Sequence, residues 1–210
     1  KVRVNEVSQD DLTLLNSRYN PSFVPKENDE YIVLATHNII VNDINTTKLA
    51  ELTSELHFFE AIVKGVFPDK MIPTEQILEL KEGAQVMFVK NDTNEIKRYY
   101  NGKLAKIKKI NEDTITVELS ENTILSIDRQ TWYNIEYTWN KEKKKIEEKV
   151  IGSFTQFPFK LAWAMSIHKS QGLTFDKVNA DLGNAFAAGQ VYVALSRCTT
   201  FNGLVLKTKI

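Results

Sequence analysis

A compact apolar run, YIVLAT at residues 31–36, leads almost directly into VNDINTTKLAEL, whose apolar residues recur at helical spacing. A short, wholly apolar strand of this kind is buried on both faces, which points to a parallel sheet with helices packed against it. A parallel strand also needs partners that return by crossover, so the chain must supply further strand–helix units. It does so at its far end, where LAWAMSIHKSQG, a strand at KVNADL, a helix at GQVYVALSRC and a last strand at GLVLKT restore the pattern.

Between these stretches the pattern changes. QVMFVKND, KLAKIKKI, DTITVEL and TILSI are short strands with turn signals at Asn101-Gly102 and at residues 111–113, and NIEYTWN and KIEEKVIG flank the lysine-rich turn KEKKK as a charged hairpin. The sequence therefore predicts an α/β domain over residues 31–92 and 158–210, interrupted by an all-β domain over residues 93–157. Residues 1–30 read as a helical extension: Ser8 caps SQDDLTLLNSR, Asp10 and Asp11 lie in its first turn, and the prolines of NPSFVPKEND end regular structure. With no initial methionine and an amphipathic start, the chain is expected to be a fragment of something longer.

Composition narrows the function classes. Lysine plus arginine number 27 and aspartate plus glutamate 27, so any polyanion site must be local rather than a property of the whole surface. The single cysteine, Cys198, excludes an internal disulfide and a multi-cysteine zinc site, and His37, His57 and His168 share no metal-ligand spacing, so no metal is expected. No apolar run approaches the roughly 18 residues that span a bilayer, and no signal-peptide pattern opens the chain. The expectation is an intracellular protein, in cytoplasm or nucleoid, with no membrane partner.

Two stretches carry candidate chemistry. SIHKSQG, residues 166–172, follows a buried strand and crowds the hydroxyls of Ser166 and Ser170, the imidazole of His168 and the ammonium of Lys169 beside Gly172. Such donors suit phosphate oxygens at the carboxyl edge of a parallel sheet, although a solvated surface turn has the same composition. In GQVYVALSRC, Val191, Ala194 and Leu195 form one buried helical face, with Tyr192 one position round from it. Arg197 near the helix end reads either as a surface charge that suits the helix dipole or as an arginine finger for a transferring phosphoryl group.

Taken together, LAWAMSIHKSQGLTFDKV and GQVYVALSRCTTFNGL resemble motifs V and VI of superfamily 1B DNA helicases, most closely the petite-integration-frequency (Pif) branch. ATHNIIVNDINTTKLAEL resembles a strand and helix of that family's second RecA-like domain. LKEGAQVMFVKND, with the turn at residues 99–102, resembles the start of its inserted Src-homology-3-like barrel. The resemblance covers most of the chain. It implies the C-terminal half of an ATP-dependent 5′-to-3′ DNA helicase, whose partners are single-stranded DNA and a first RecA-like domain absent here. By the same resemblance Ser166, His168, Lys169, Ser170, Thr36 and His37 touch single-stranded DNA, with His37 equally readable as an ordinary helix start. Gln171, Gly172 and Thr174 face the nucleotide, and Arg197 reaches the γ-phosphate.

The chain contains no GxxxxGK followed by serine or threonine, and Asp29-Glu30 follows no apolar strand, so neither Walker motif is present. ATP with Mg2+ is expected only in the full-length enzyme, and this chain alone is expected to be an inactive monomer with no nucleotide bound. Two other readings stay open: a RecD-like or relaxase-linked helicase fragment, and a non-catalytic nucleic-acid-binding module. In the β block, residues 93–157 hold 12 basic against 10 acidic residues. Alternation assigns alternate aromatics among Trp132, Tyr133, Tyr137 and Trp139 to the barrel core and leaves KEKKK solvated; stacking on bases is the competing reading.

Overall fold

The computed structural model describes residues 2–4, 6–26, 29–119, 123–141, 143–183 and 189–210, so Glu27 and Asn28 of the proline-rich loop and Glu142 of KEKKK lie outside the described residues. In chain order the first elements are α1 (Gln9–Asn16), β1 (Ile32–Ala35), α2 (Asn38–Glu51), β2 (His57–Glu60), β3 (Ile62–Gly65), β4 (Ile77–Leu80) and β5 (Gln85–Phe88). There follow β6 (Leu104–Ile110), β7 (Thr114–Glu118), β8 (Ile124–Asp128), β9 (Gln130–Asn140), β10 (Lys145–Gln156) and β11 (Phe159–Leu161). The last are β12 (Ala164–Ser166), β13 (Val178–Asp181), α3 (Gln190–Leu195) and β14 (Leu204–Leu206). They sort into two compact units, Lys1–Glu51 with Asn101–Leu104 and Leu161–Ile210, and Leu52–Tyr100 with Ala105–Lys160. Residues 52–92, read from sequence with the α/β stretch, fall in the second unit by this division.

The first unit is α/β. Its sheet runs β12-β1-β13-β14, with every adjacent pair parallel. Ile32, Leu34 and Ala35 of β1 are fully buried, as a central strand covered on both faces requires. Val41 of α2 packs on Ala35 and Ala164, with Ile40 and Ile44 beside it. The α1 helix starts as its sequence predicts, in a reciprocal cap in which Asp11 N–H donates to Ser8 Oγ at 3.2 Å and Ser8 N–H donates to Asp11 Oδ2 at 3.0 Å. Beyond α1 the chain seals the β14 edge. Leu206 N–H donates to Arg18 O at 2.9 Å, Asn20 N–H donates to Leu206 O at 2.8 Å, and Arg18 Nε donates to Leu204 O at 2.7 Å. None of the described helices is long and apolar enough to cross a membrane.

The second unit is all β. It holds a five-stranded sheet ordered β11-β5-β6-β7-β8, a three-stranded sheet ordered β3-β10-β9, and the pair β2-β4. Phe88, Phe154, Phe157 and Phe159 are fully buried, and the Phe88 ring stacks on Tyr99 with centroids 3.9 Å apart. Where β3 crosses β10, Gly65 pairs with Gly152, and a Cβ on Gly152 would stand 2.0 Å from Val66 O. Only glycine permits that approach. The loop after β5 closes on Asp92, whose carboxylate is 1% exposed and accepts from Arg98 Nε at 2.7 Å, Arg98 N at 3.1 Å and Asn94 N at 3.1 Å.

The β9–β10 hairpin divides its aromatics between two faces. Its strands pair from Gln130↔Gln156 out to Asn140↔Lys145, and Tyr133, Tyr137 and Trp139 are all exposed. Only Trp132 turns inward, edge-on to buried Phe154, with Lys90 Nζ 4.9 Å from its ring centroid. The reason is length. An 11-residue strand and a 12-residue strand paired into a ribbon have no third strand or facing sheet over their outer half, since β3 reaches only residues 152–155 of β10.

Candidate functional site

β1 and β12 lie side by side in register, Val33 opposite Ala164 and Ala35 opposite Ser166, so both strands end at the same level. The outer edge of β12 is closed by a side chain rather than a strand. Asn45 of α2 donates from Nδ2 to Ala164 O at 3.0 Å and accepts from Ala164 N–H through Oδ1 at 2.9 Å. One amide thus satisfies the donor and the acceptor that an edge strand leaves open. Ile167 N–H then donates to Ala35 O at 2.9 Å, which fixes where the loop departs.

The loop after Ser166 is a tight turn with a clear division of labour. Ile167 is 1% exposed and Ser170 is fully buried. Ser170 Oγ donates to Ile167 O at 2.7 Å and its N–H to Ser166 O at 3.1 Å, so this hydroxyl closes the turn. Ser170 therefore stands apart from the ligand-facing set in which the sequence put it: the hydroxyl is consumed within the loop. His168, Lys169, Gln171 and Gly172 are exposed. Gly172 holds φ at +81°, and a Cβ there would meet nothing within 4 Å, so the backbone is open to close approach.

These side chains face a cleft of about 510 Å³ at the carboxyl ends of β1 and β12, where α/β sheets carry their ligands. Of the predicted residues, Thr36, Ser166, His168, Lys169 and Gln171 line it. Thr36 and Ser166 are mostly buried in its floor. His37 is exposed beside it, with Nδ1 hydrogen-bonded to Thr36 Oγ1 at 2.8 Å, and Thr174 is exposed outside the lining. Asn38, Gln190, Tyr192 and Val193 complete the wall and were not singled out from sequence as site residues. Tyr192 had a readable signal, since helical spacing set it one position off the buried face. Asn38 and Gln190 had none beyond adjacency to motif residues.

Arg197 follows α3 and is half-buried. Its guanidinium donates from Nη1 to Leu173 O at 2.8 Å and to Ser170 O at 3.5 Å, from Nε to Val193 O at 3.1 Å, and from Nη2 to Ser196 Oγ at 2.9 Å. The fork therefore ties the end of α3 to the turn that carries Gln171 and Gly172. A short parallel bridge, Phe175 N–H to Arg197 O at 2.8 Å and Thr199 N–H to Phe175 O at 2.9 Å, holds its backbone. Lysine could supply the charge at this place but not the planar, multiply donating geometry. The adjacent Cys198 thiol is pushed up in pKa by burial.

The arrangement offers two adjacent donor groups. One is the exposed set at His168 and Lys169, and the other a fixed guanidinium behind the same turn. Phosphate oxygens are the ligands that such donors recognise.

No family model matches the chain. Among individual proteins, it is 35% identical over 190 residues to the ATP-dependent DNA helicase Pif1 of Campylobacter jejuni, a match that covers 84% of this chain and 42% of that protein. The crystal structure of Bacteroides Pif1 in complex with ADP-AlF4 superposes over 100% of the chain and 47% of its own length, at 40% identity and a TM-score of 0.91. The crystal structure of Bacteroides Pif1 bound to ssDNA covers the same shares at 39% identity, with a TM-score of 0.74. The chain thus spans less than half the length of each of these proteins.

Proposed function

Because the chain belongs to the Pif1 helicase family over the span it shares with those proteins, we propose that it is the second RecA-like motor domain, with its β-barrel insert, of an ATP-dependent 5′-to-3′ DNA helicase. In this reading His168 and Lys169 hold the backbone of single-stranded DNA, with Thr36, His37 and Ser166 supporting them from the floor and rim of the cleft. Gln171, Gly172 and Thr174 form the side of the loop turned to the nucleotide. Arg197 is the arginine finger, and its partner is a first RecA-like domain that the 210 residues do not include.

The observation that carries the reading is a single turn with two attachments. Its outer face, at His168 and Lys169, opens on the cleft, while Arg197 grips the carbonyls of Ser170 and Leu173 at its base. A guanidinium that serves a γ-phosphate must exchange those carbonyls for phosphate oxygens, so domain closure on nucleotide and the grip on DNA act on the same few residues. ATP would supply the phosphoryl group and Mg2+ would neutralise its charge. The chain by itself would then bind DNA as a monomer without hydrolysing ATP.

The test uses the full-length protein. Arg197→Ala is expected to lower DNA-stimulated ATP hydrolysis by roughly 10³-fold, in line with other arginine fingers, while single-stranded DNA still binds. Near-normal turnover in that variant would remove Arg197 from the chemistry.

A further inference from the structure

The turn that carries the phosphate donors ends on a leucine fixed at three points. Leu173 N–H donates to Ser170 O at 3.0 Å, and Leu173 O accepts from Arg197 Nη1 at 2.8 Å, the shortest of the guanidinium's contacts. Its side chain is half-buried and lies over Gly102. Gly102 is buried in the turn that precedes β6, with φ at +99°, and a Cβ there would stand 2.8 Å from Leu173 Cδ2 and 3.5 Å from its Cγ. Glycine at this place adopts the left-handed torsion and leaves bare backbone for the leucine to settle on. Asn101–Leu104 belongs to the first unit although the chain on either side, Leu52–Tyr100 and Ala105–Lys160, belongs to the second. Gly172, the residue before the leucine, also holds a positive φ but faces open space. Fixing this end of the turn therefore falls to Leu173.

We infer that Leu173, seated on Gly102, is a positioning residue for Arg197: the packing of its side chain fixes the carbonyl that aims the guanidinium. This rests on the reading of Arg197 as the group that meets the γ-phosphate. A guanidinium fork is planar and directional, so its aim follows the acceptors that hold it. The Leu173 carbonyl persists whatever side chain stands at 173, and the side chain is what sets its place. Misplacing such a group by about 1 Å can lower a rate by roughly 10²-fold. The leucine thus acts on the chemistry through Arg197 and not by touching a ligand.

The experiment measures DNA-stimulated ATP hydrolysis by the full-length protein. Leu173→Ala is expected to lower kcat and kcat/KM equally, by roughly 10- to 100-fold, as loss of an interaction made only in the transition state does, while oligo(dT) still binds. Leu173→Met, which keeps the volume, should recover most of the turnover. In an Arg197→Ala background Leu173→Ala should bring no further loss, because nothing remains to be positioned; a merely structural defect would lower turnover in both backgrounds. Gly102→Ala should also impair turnover, and adding Leu173→Ala to it should do no further harm, since the shortened side chain makes room for the methyl and the strain at φ +99° is common to both variants. If Leu173→Ala does not fold, Leu173→Val, a smaller truncation, carries the same comparisons with a smaller loss. Wild-type kcat in the Leu173 truncation while Arg197→Ala is impaired overturns this inference and leaves the proposed function standing, and so does an equal loss in the two backgrounds. Near-normal turnover in Arg197→Ala overturns both.

Discussion

Replacing Asn45 with alanine removes both hydrogen bonds that close the outer edge of β12, the strand that launches the loop at residues 167–172. Ala164 is 2% exposed, so its N–H and C=O, now bonded at 2.9 and 3.0 Å, would be left in a place that water reaches poorly. A buried backbone group without a partner costs roughly 1–3 kcal/mol. Asn45 itself is only half-buried, and partial rehydration through the gap should hold the sum for the two groups to about 2–4 kcal/mol. Asn45→Asp should be comparably harmful, because it keeps the acceptor for Ala164 N–H but turns a carboxylate oxygen toward Ala164 O. Urea unfolding followed by circular dichroism would report the loss as a lower midpoint, and native-state hydrogen exchange would localise it at the Ala164 and Ile167 amides. A change below about 0.5 kcal/mol, with those amides still protected, would refute the idea that one side chain stands in for a missing strand.

Two further perturbations probe the second unit. Gly152→Ala drives a Cβ to 2.0 Å from Val66 O, a backbone atom that cannot rotate away, so a destabilisation of at least about 3 kcal/mol is expected; a wild-type melting curve would show that the crossing can shift at little cost. At Asp92 the side-chain hydrogen bond from Arg98, helped by Asn94, outweighs burial and holds the carboxyl well below the usual carboxylate range. A depressed pKa in the folded state means stability that is fully present above the ordinary aspartate pKa of about 4 and is lost as pH falls below it. Asp92→Asn should therefore flatten the acid limb of a stability–pH curve, and parallel curves for the two proteins would contradict the assignment.

Much of the fold was legible because local pattern and tertiary burial agree. YIVLAT reads as a buried strand and is one, and Ser8 with Asp11 reads as a helix start and forms it. The strands β2 to β4 were not read, because Phe58, Ile62, Val63 and Ile77 are apolar yet exposed, and no clean alternation survives. Over β9 alternation separates Trp132 from Tyr133, Tyr137 and Trp139, but it cannot tell which face of a ribbon is covered. At the cleft, His168, Lys169 and Gln171 were recoverable as exposed donors, whereas Ser170 was not separable from them. Whether a hydroxyl faces a ligand or its own turn depends on backbone torsions that the letters do not carry. Asn45 was invisible as an edge partner because Ala164 lies 119 positions further along the chain.

The salt dependence of single-stranded DNA binding tests most directly whether the loop after β12 holds phosphates. Lys169 is exposed, so Lys169→Ala should leave the fold intact. If its ammonium meets one phosphate, the slope of log K against log salt should become shallower by about 0.7, with weaker binding at low salt. An unchanged slope and affinity would mean that the strand does not pass through this cleft.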